Sequence, residues 1–134
     1  MRKVFVSLAV ILVIMAVATP VAVFAASGAK YAIVFKNTGN PYGDKQMGGF
    51  KEGIEQQGFQ AILRAPDQPT AEAQIQIIEQ LISQRVAAIC IVGNDKDALQ
   101  PVLTKAKNQG IKVFSLDSGV NPASRLIRKG SRTR

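Results

Sequence analysis

The sequence predicts an α/β fold: an open parallel sheet with helices on both faces, laid out as βαβαβαβ. Three observations predict it. Apolar strand-like runs alternate with helix-periodic segments, with little sequence to spare between them. Strand starts near residues 31, 59, 86 and 111 recur at the spacing of successive βα units. Val86–Val92 is apolar throughout, the composition of a strand buried on both faces.

Each element follows from its own residues. Tyr31–Phe35 is the first strand. Gly43–Gln57 reads as a helix because Met47, Phe50 and Ile54 fall on one face, and Gly58 closes it as a left-handed cap. Phe59–Arg64 is the second strand, followed by the loop Ala65–Pro69. Thr70 caps a second helix whose Ile75, Ile78 and Ile82 point inward. Val86–Val92 is the third strand, and Gly93-Asn94-Asp95 turns the chain into a third helix. Pro101 belongs in the first turn of that helix, which places its start near Asp97, with Leu99, Val102, Leu103 and Ala106 inward. Gly110 ends it, and Ile111–Leu116 is a fourth strand expected at an open edge of the sheet.

Ahead of this domain, Met1-Arg2-Lys3 and the apolar run Val4–Val17 (interrupted only by Ser7) lead to Thr19-Pro20 and then Val23-Phe24-Ala25. That layout predicts a secretory signal removed after Ala25, and hence a periplasmic or otherwise extracytoplasmic protein with no membrane span after cleavage. The competing reading is a retained anchor, since Val4–Ala26 approaches the length of a membrane span. No cysteine stands at the end of the run, which argues against a lipid anchor at this junction. The resulting division is 1–25 leader, 26–120 α/β lobe and 121–134 basic tail.

The net charge of +8 suggests nucleic acid, but its distribution argues against it. Residues 26–120 carry ten Lys/Arg against nine Asp/Glu, and the excess lies in Arg2, Lys3 and the tail. A nucleic-acid binder needs a basic face on its folded body. The single cysteine, Cys90, sits inside the third strand as a small hydrophobe, and no internal disulfide is possible. Histidine is absent, which removes histidine-based triads, most zinc sites and the commonest general base. There is no Gly-x-Gly-x-x-Gly, no Gly-Lys-Ser/Thr loop and no Gly-x-Ser-x-Gly elbow. Residues 37–43 lack the clustered carboxylates of a phosphate-accepting receiver domain, and no metal or other cofactor is expected. The chain is expected not to be an enzyme.

In open α/β sheets ligands bind beyond the carboxyl ends of the strands, where strand order reverses. Those ends carry Lys36–Tyr42, Ala65–Pro69, Gly93–Asp95 and Asp117–Gly119. Amides and carboxylates hydrogen-bond hydroxyl pairs, and an aromatic ring packs on an apolar sugar face. The mixture suits a small, uncharged, polyhydroxylated ligand. Asn40-Pro41 serves equally as a turn into the first helix, Lys36 as a solvated strand end, and Asn94 and Asp95 as caps of the third helix. Asp117, closing a hydrophobic strand where the crevice opens, is the strongest candidate for ligand contact.

Tyr31–Tyr42 (YAIVFKNTGNPY), Ala65–Ile82, Gly93–Leu103 and Gly110–Arg125 together resemble the type 1 periplasmic sugar-binding proteins, the solute-capturing subunits of ABC importers. The likeness is greatest to the rhamnose- and autoinducer-2-binding group, with ribose binders further off. The resemblance implies the first lobe of that fold, a monosaccharide or sugar-like signal as ligand, and a membrane permease as partner. It implies ligand contacts from Lys36, as in autoinducer-2-type members, from Asn40 and Tyr42, as in the ribose-type first loop, and from Asp117; Asn94 is a further candidate by its place at the end of the third strand alone. Gly43 stands where ribose binders often carry an aromatic residue, Arg85 where a glycine usually ends the second helix, and Ala87 in place of an aspartate. From Arg128 the sequence leaves the pattern and the second lobe is missing, which suggests a truncated reading frame. The alternative function is an extracytoplasmic sensory or interaction domain built on the same lobe.

Overall fold

The computed structural model describes residues 28–129. The expected leader and the last residues of the basic tail lie outside the described residues. Five strands form one sheet: β1 (Lys30–Val34), β2 (Gln60–Arg64), β3 (Ala88–Ile91), β4 (Lys112–Leu116) and β5 (Ile127–Lys129), in the order β2-β1-β3-β4-β5. Every pairing is parallel. Three helices connect the first four strands: α1 (Pro41–Glu55), α2 (Ala71–Ser83) and α3 (Gln100–Asn108).

The order explains the layering. From β1 the chain steps one way to β2, then back past β1 to β3 and on to β4. Right-handed crossovers therefore place α1 on one face and α2 with α3 on the other. The α2/α3 face holds the main core, in which Val34, Ile78, Ile89, Leu99, Leu103 and Val113 are fully buried. Helix α1 packs on β1 and β2, with only Gly43 fully buried. Its predicted apolar face of Met47, Phe50 and Ile54 is half-buried. Beneath it the Tyr31 and Phe59 rings meet at 5.1 Å between centroids.

The expected boundaries shift at two helices. Helix α1 begins at Pro41 because the Asn40 side chain accepts the Tyr42 and Gly43 amides, leaving Pro41 in the first turn, where no N–H is needed. Helix α3 begins at Gln100, later than Asp97. The Asp95 carboxylate binds the Asp97 and Ala98 amides at 2.8 and 2.9 Å, so residues 95–99 close as a tight turn before regular helical bonding starts. Thr70 caps α2 as expected, accepting from Ala73 N at 3.2 Å.

All three helices end in one motif. The N–H groups of Phe59, Val86 and Ile111 reach back to the carbonyls of Ile54, Leu81 and Ala106. The intervening residues, Gly58, Arg85 and Gly110, have φ of 78°, 51° and 84°. This is the paired-bond helix stop that requires a left-handed residue, and Arg85 is the one without glycine's freedom.

The expectation that β4 forms an open edge is corrected by β5. After Val120 a single 3₁₀ turn (Pro122–Ser124) lies against α3, where Lys107 Nζ donates to Ala123 O at 2.6 Å and Asn121 Nδ2 to Gln100 Oε1 at 3.1 Å. Leu126 N then donates to Val113 O at 2.7 Å, and Ile127–Lys129 continues as a parallel partner of β4. The sheet thus runs five strands wide, and its edges are β2 and β5.

Candidate ligand site

The point where strand order reverses lies at the carboxyl end of β1, between β2 and β3. The loops that leave this end are tied to one another. Thr38 N donates to Pro66 O at 2.9 Å, and Thr38 Oγ1 to Asp67 Oδ1 at 3.3 Å, joining the first loop to the second. Asn94 Nδ2 donates to Lys36 O at 2.9 Å, joining the third loop to the first. Gly93 packs under the fourth loop: a Cβ there would meet Val120 Cγ1 at 3.0 Å and Leu99 Cδ1 at 3.1 Å.

The structure places the five candidate residues on this rim in different ways. Lys36 follows β1 directly and is half-buried, with its carbonyl held by Asn94. Asn40 is the N-cap of α1, so its side-chain oxygen organises the helix start. Tyr42, in the first turn of α1, is 57% exposed, one of the large hydrophobic residues that the lobe leaves open to solvent. Asn94 does not cap α3. Its amide nitrogen bonds Lys36 O and reaches Thr70 O at 3.4 Å, while the Asp95 carboxylate closes the turn ahead of α3, which has no side-chain cap. The Ala98 and Asp97 amides hold the Asp95 carboxyl below the usual carboxylate range. Asp117 is half-buried at the end of β4 with φ of 57°, a conformation that Asp and Asn tolerate better than most residues.

Lys36, Asn40, Tyr42 and Asn94 therefore gather around the ends of β1 and β3, with Asp117 one strand further on, at β4. The residue that sequence reasoning missed is Gln74, in the first turns of α2. It is fully buried, and its side chain bonds Phe35 O, Val92 O and Asn94 N. A signal was available: Gln74 lies on the same helical stripe as Ile78 and Leu81, where a polar residue needs a reason to be.

A depression between the C-terminal ends of α2 and α3, lined by Ile82, Arg85, Val86, Gln109, Gly110 and Ile111, lies at the opposite end of the sheet and holds none of these residues. Among the described residues no group of His, Cys, Asp and Glu is arranged to hold a metal ion. Among them, too, no helix is long and apolar enough to cross a membrane. Cys90 sits half-buried on the α1 side of the sheet, and burial pushes its thiol up to about 11.

Comparison with known proteins is consistent across sequence and structure. Residues 31–128 match the family model of the periplasmic binding protein domain. A D-ribose/D-allose-binding protein of Pseudomonas aeruginosa is 39% identical over 56 residues, covering 42% of this chain and 18% of that protein. The crystal structure of an ABC transporter solute-binding protein from Clostridium phytofermentas with bound L-rhamnose is 50% identical, with a TM-score of 0.72 over 75% of this chain and 32% of that one. LsrB from Clostridium saccharobutylicum, in complex with AI-2, is 26% identical with a TM-score of 0.72, covering 75% of this chain and 31% of that one. The chain thus spans about a third of the length of the solved relatives it matches.

Proposed function

The chain belongs to the periplasmic binding protein domain family, and from that premise we propose that it captures a monosaccharide at the carboxyl ends of its strands for delivery to the membrane permease of an ABC importer. Its work is binding, without turnover, outside the cytoplasmic membrane. The observation that carries the ligand class is the 50% identity to a relative with L-rhamnose bound. L-rhamnose is therefore the first ligand, with AI-2 and ribose-type sugars behind it.

The geometry supports a division of labour. The exposed Tyr42 ring offers an apolar surface to one face of a sugar. The Asp117 carboxylate accepts from sugar hydroxyls, and Lys36 donates to them, each through a charge-assisted bond. Asn40 and Asn94 contribute first by shape, since their amides already hold the start of α1 and the join between the first and third loops. Asp67, tied to Thr38, sits on the same rim.

Titration of the full chain with L-rhamnose, D-ribose and AI-2, followed by NMR shift changes, tests the reading. The expected result is saturable binding of L-rhamnose with shifts at residues 36–42 and 117–119. No saturable shift with any of the three overturns it.

A further inference from the structure

Gln74 occupies the place where the backbone ladder between the two central strands stops. The last rung between them is Val92 N to Val34 O, and on the other side of β1 Phe35 N reaches Arg64 O of β2, both at 2.9 Å. Beyond them, among the described residues, no backbone N–H meets the carbonyls of Phe35 and Val92, and no backbone carbonyl meets Asn94 N. One side chain meets all three: Gln74 Nε2 donates to Phe35 O and to Val92 O, each at 2.9 Å, and Oε1 accepts from Asn94 N at 2.9 Å. Two acceptors on one side and a donor on the other leave only one orientation of the amide. Asn94 passes the link onward through its own amide, to Lys36 O at 2.9 Å and Thr70 O at 3.4 Å. The N-cap of α2, the ends of β1 and β3, and two candidate ligand residues are thereby joined in one closed set of bonds.

Filling space does not require an amide at this position. Ile78, Leu81 and Ile82 already seat α2 on the sheet, and a methionine would occupy a similar volume. Only the amide can extend the sheet past its last rung and give the two outgoing loops a common anchor. We propose that Gln74 is a positioning residue for the ligand site: it sets the spacing and heading of the loops after β1 and β3, and so the placement of Lys36 and Tyr42 relative to Asp117. The ligand half of this statement rests on the sugar-binding reading above; the loop half does not.

The test compares Gln74→Met with the wild-type full chain by residue-resolved amide exchange and by L-rhamnose titration. Expected are exchange about tenfold faster at Asn94 and through residues 36–40, unchanged exchange at Leu81 and Ile82 in the body of α2, and rhamnose affinity about tenfold weaker. Uniformly faster exchange across the lobe, or unchanged exchange at Asn94, overturns the proposal, because the amide is then only a stabiliser or a bystander. Should Gln74→Met fail to fold, Asn94→Ala keeps both strand-end bonds of Gln74 and its bond to the backbone N at 94, and cuts only the onward links to Lys36 O and Thr70 O. Faster exchange confined to residues 36–40 supports the relay, and no local change overturns it. If the wild type does not bind rhamnose, the sugar reading fails while the exchange data still decide the role of Gln74.

Discussion

Gly43 rests directly on the ring of Phe35: a Cβ at Gly43 would lie 2.6 Å from Phe35 Cδ1, and nearer still to Cε1. Phe35 is the residue at which β1 becomes the first ligand loop, and it is 2% exposed. The absence of a side chain at position 43 lets the N-terminus of α1, with Asn40 and Tyr42, come down onto the strand end. The glycine that departs from ribose binders in sequence is therefore a packing requirement of this lobe.

Gly43→Ala is expected to destabilise the fold by about 1–3 kcal/mol, because the new methyl group overpacks a buried ring. Urea unfolding monitored by far-UV circular dichroism reads this directly. Combining it with Phe35→Leu should recover part of the loss, and a midpoint unaltered by Gly43→Ala alone would show that the ring yields without cost.

Arg85→Gly should stabilise the lobe by about 0.5–1 kcal/mol. Arg85 holds a φ of 51° at the end of α2, a conformation that costs an L-residue roughly 1–2 kcal/mol, offset in part by the greater chain entropy of glycine when unfolded. The side chain is exposed, so little packing is lost. Gly110→Ala, at the equivalent end of α3, is the opposite control and should lower the melting temperature.

Cys90 predicts a pH dependence. Burial raises its thiol from an ordinary 9.0 to about 11 in the folded lobe. The unfolded thiol ionises first as pH rises, so the stabilising contribution of the neutral buried thiol is complete below pH 9 and declines toward pH 11. Cys90→Ala should flatten the alkaline side of a urea-midpoint profile between those values. Its reaction with a disulfide reagent at pH 8 should be slow when folded and rise sharply in urea.

Asp117→Ala should weaken L-rhamnose binding by about 2 kcal/mol, roughly thirtyfold, through loss of a charge-assisted bond to a sugar hydroxyl. Asp117→Asn tolerates the same left-handed backbone and removes only the charge, so about 1 kcal/mol is expected. Equal affinity in all three proteins, measured by NMR titration, would take Asp117 out of the site.

What could be read from residue order and what could not divide along a physical line. Helix faces, caps at Thr70 and stops at Gly58 and Gly110 are local, set by periodicity and by one residue's conformational freedom, and they were legible. The strand Ile127–Lys129 was not. It lacks a connecting helix, and its place depends on the 3₁₀ turn that docks on α3 through Asn121 and Lys107. Nor was the division of roles between Asn94 and Asp95. Both are adjacent polar residues in one turn, and only the arrival of Lys36 O from another strand end determines which closes the turn and which bridges. Gln74 belongs to the same class, since its three partners lie on two strands and a loop distant in sequence.

The central place of β1 has a consequence for how the chain acquires its structure. Tyr31 pairs with Ala61 on one side and with Ala88 on the other. Of the described strands β1 is made first, yet it is paired on both edges only once β3 has followed, so part of its edge and apolar surface waits unprotected until then. Parallel pairing between distant segments closes slowly. The interval in which Tyr31–Phe35 stands open is when a holding chaperone would find its best grip, and when two nascent copies are most liable to join strand to strand.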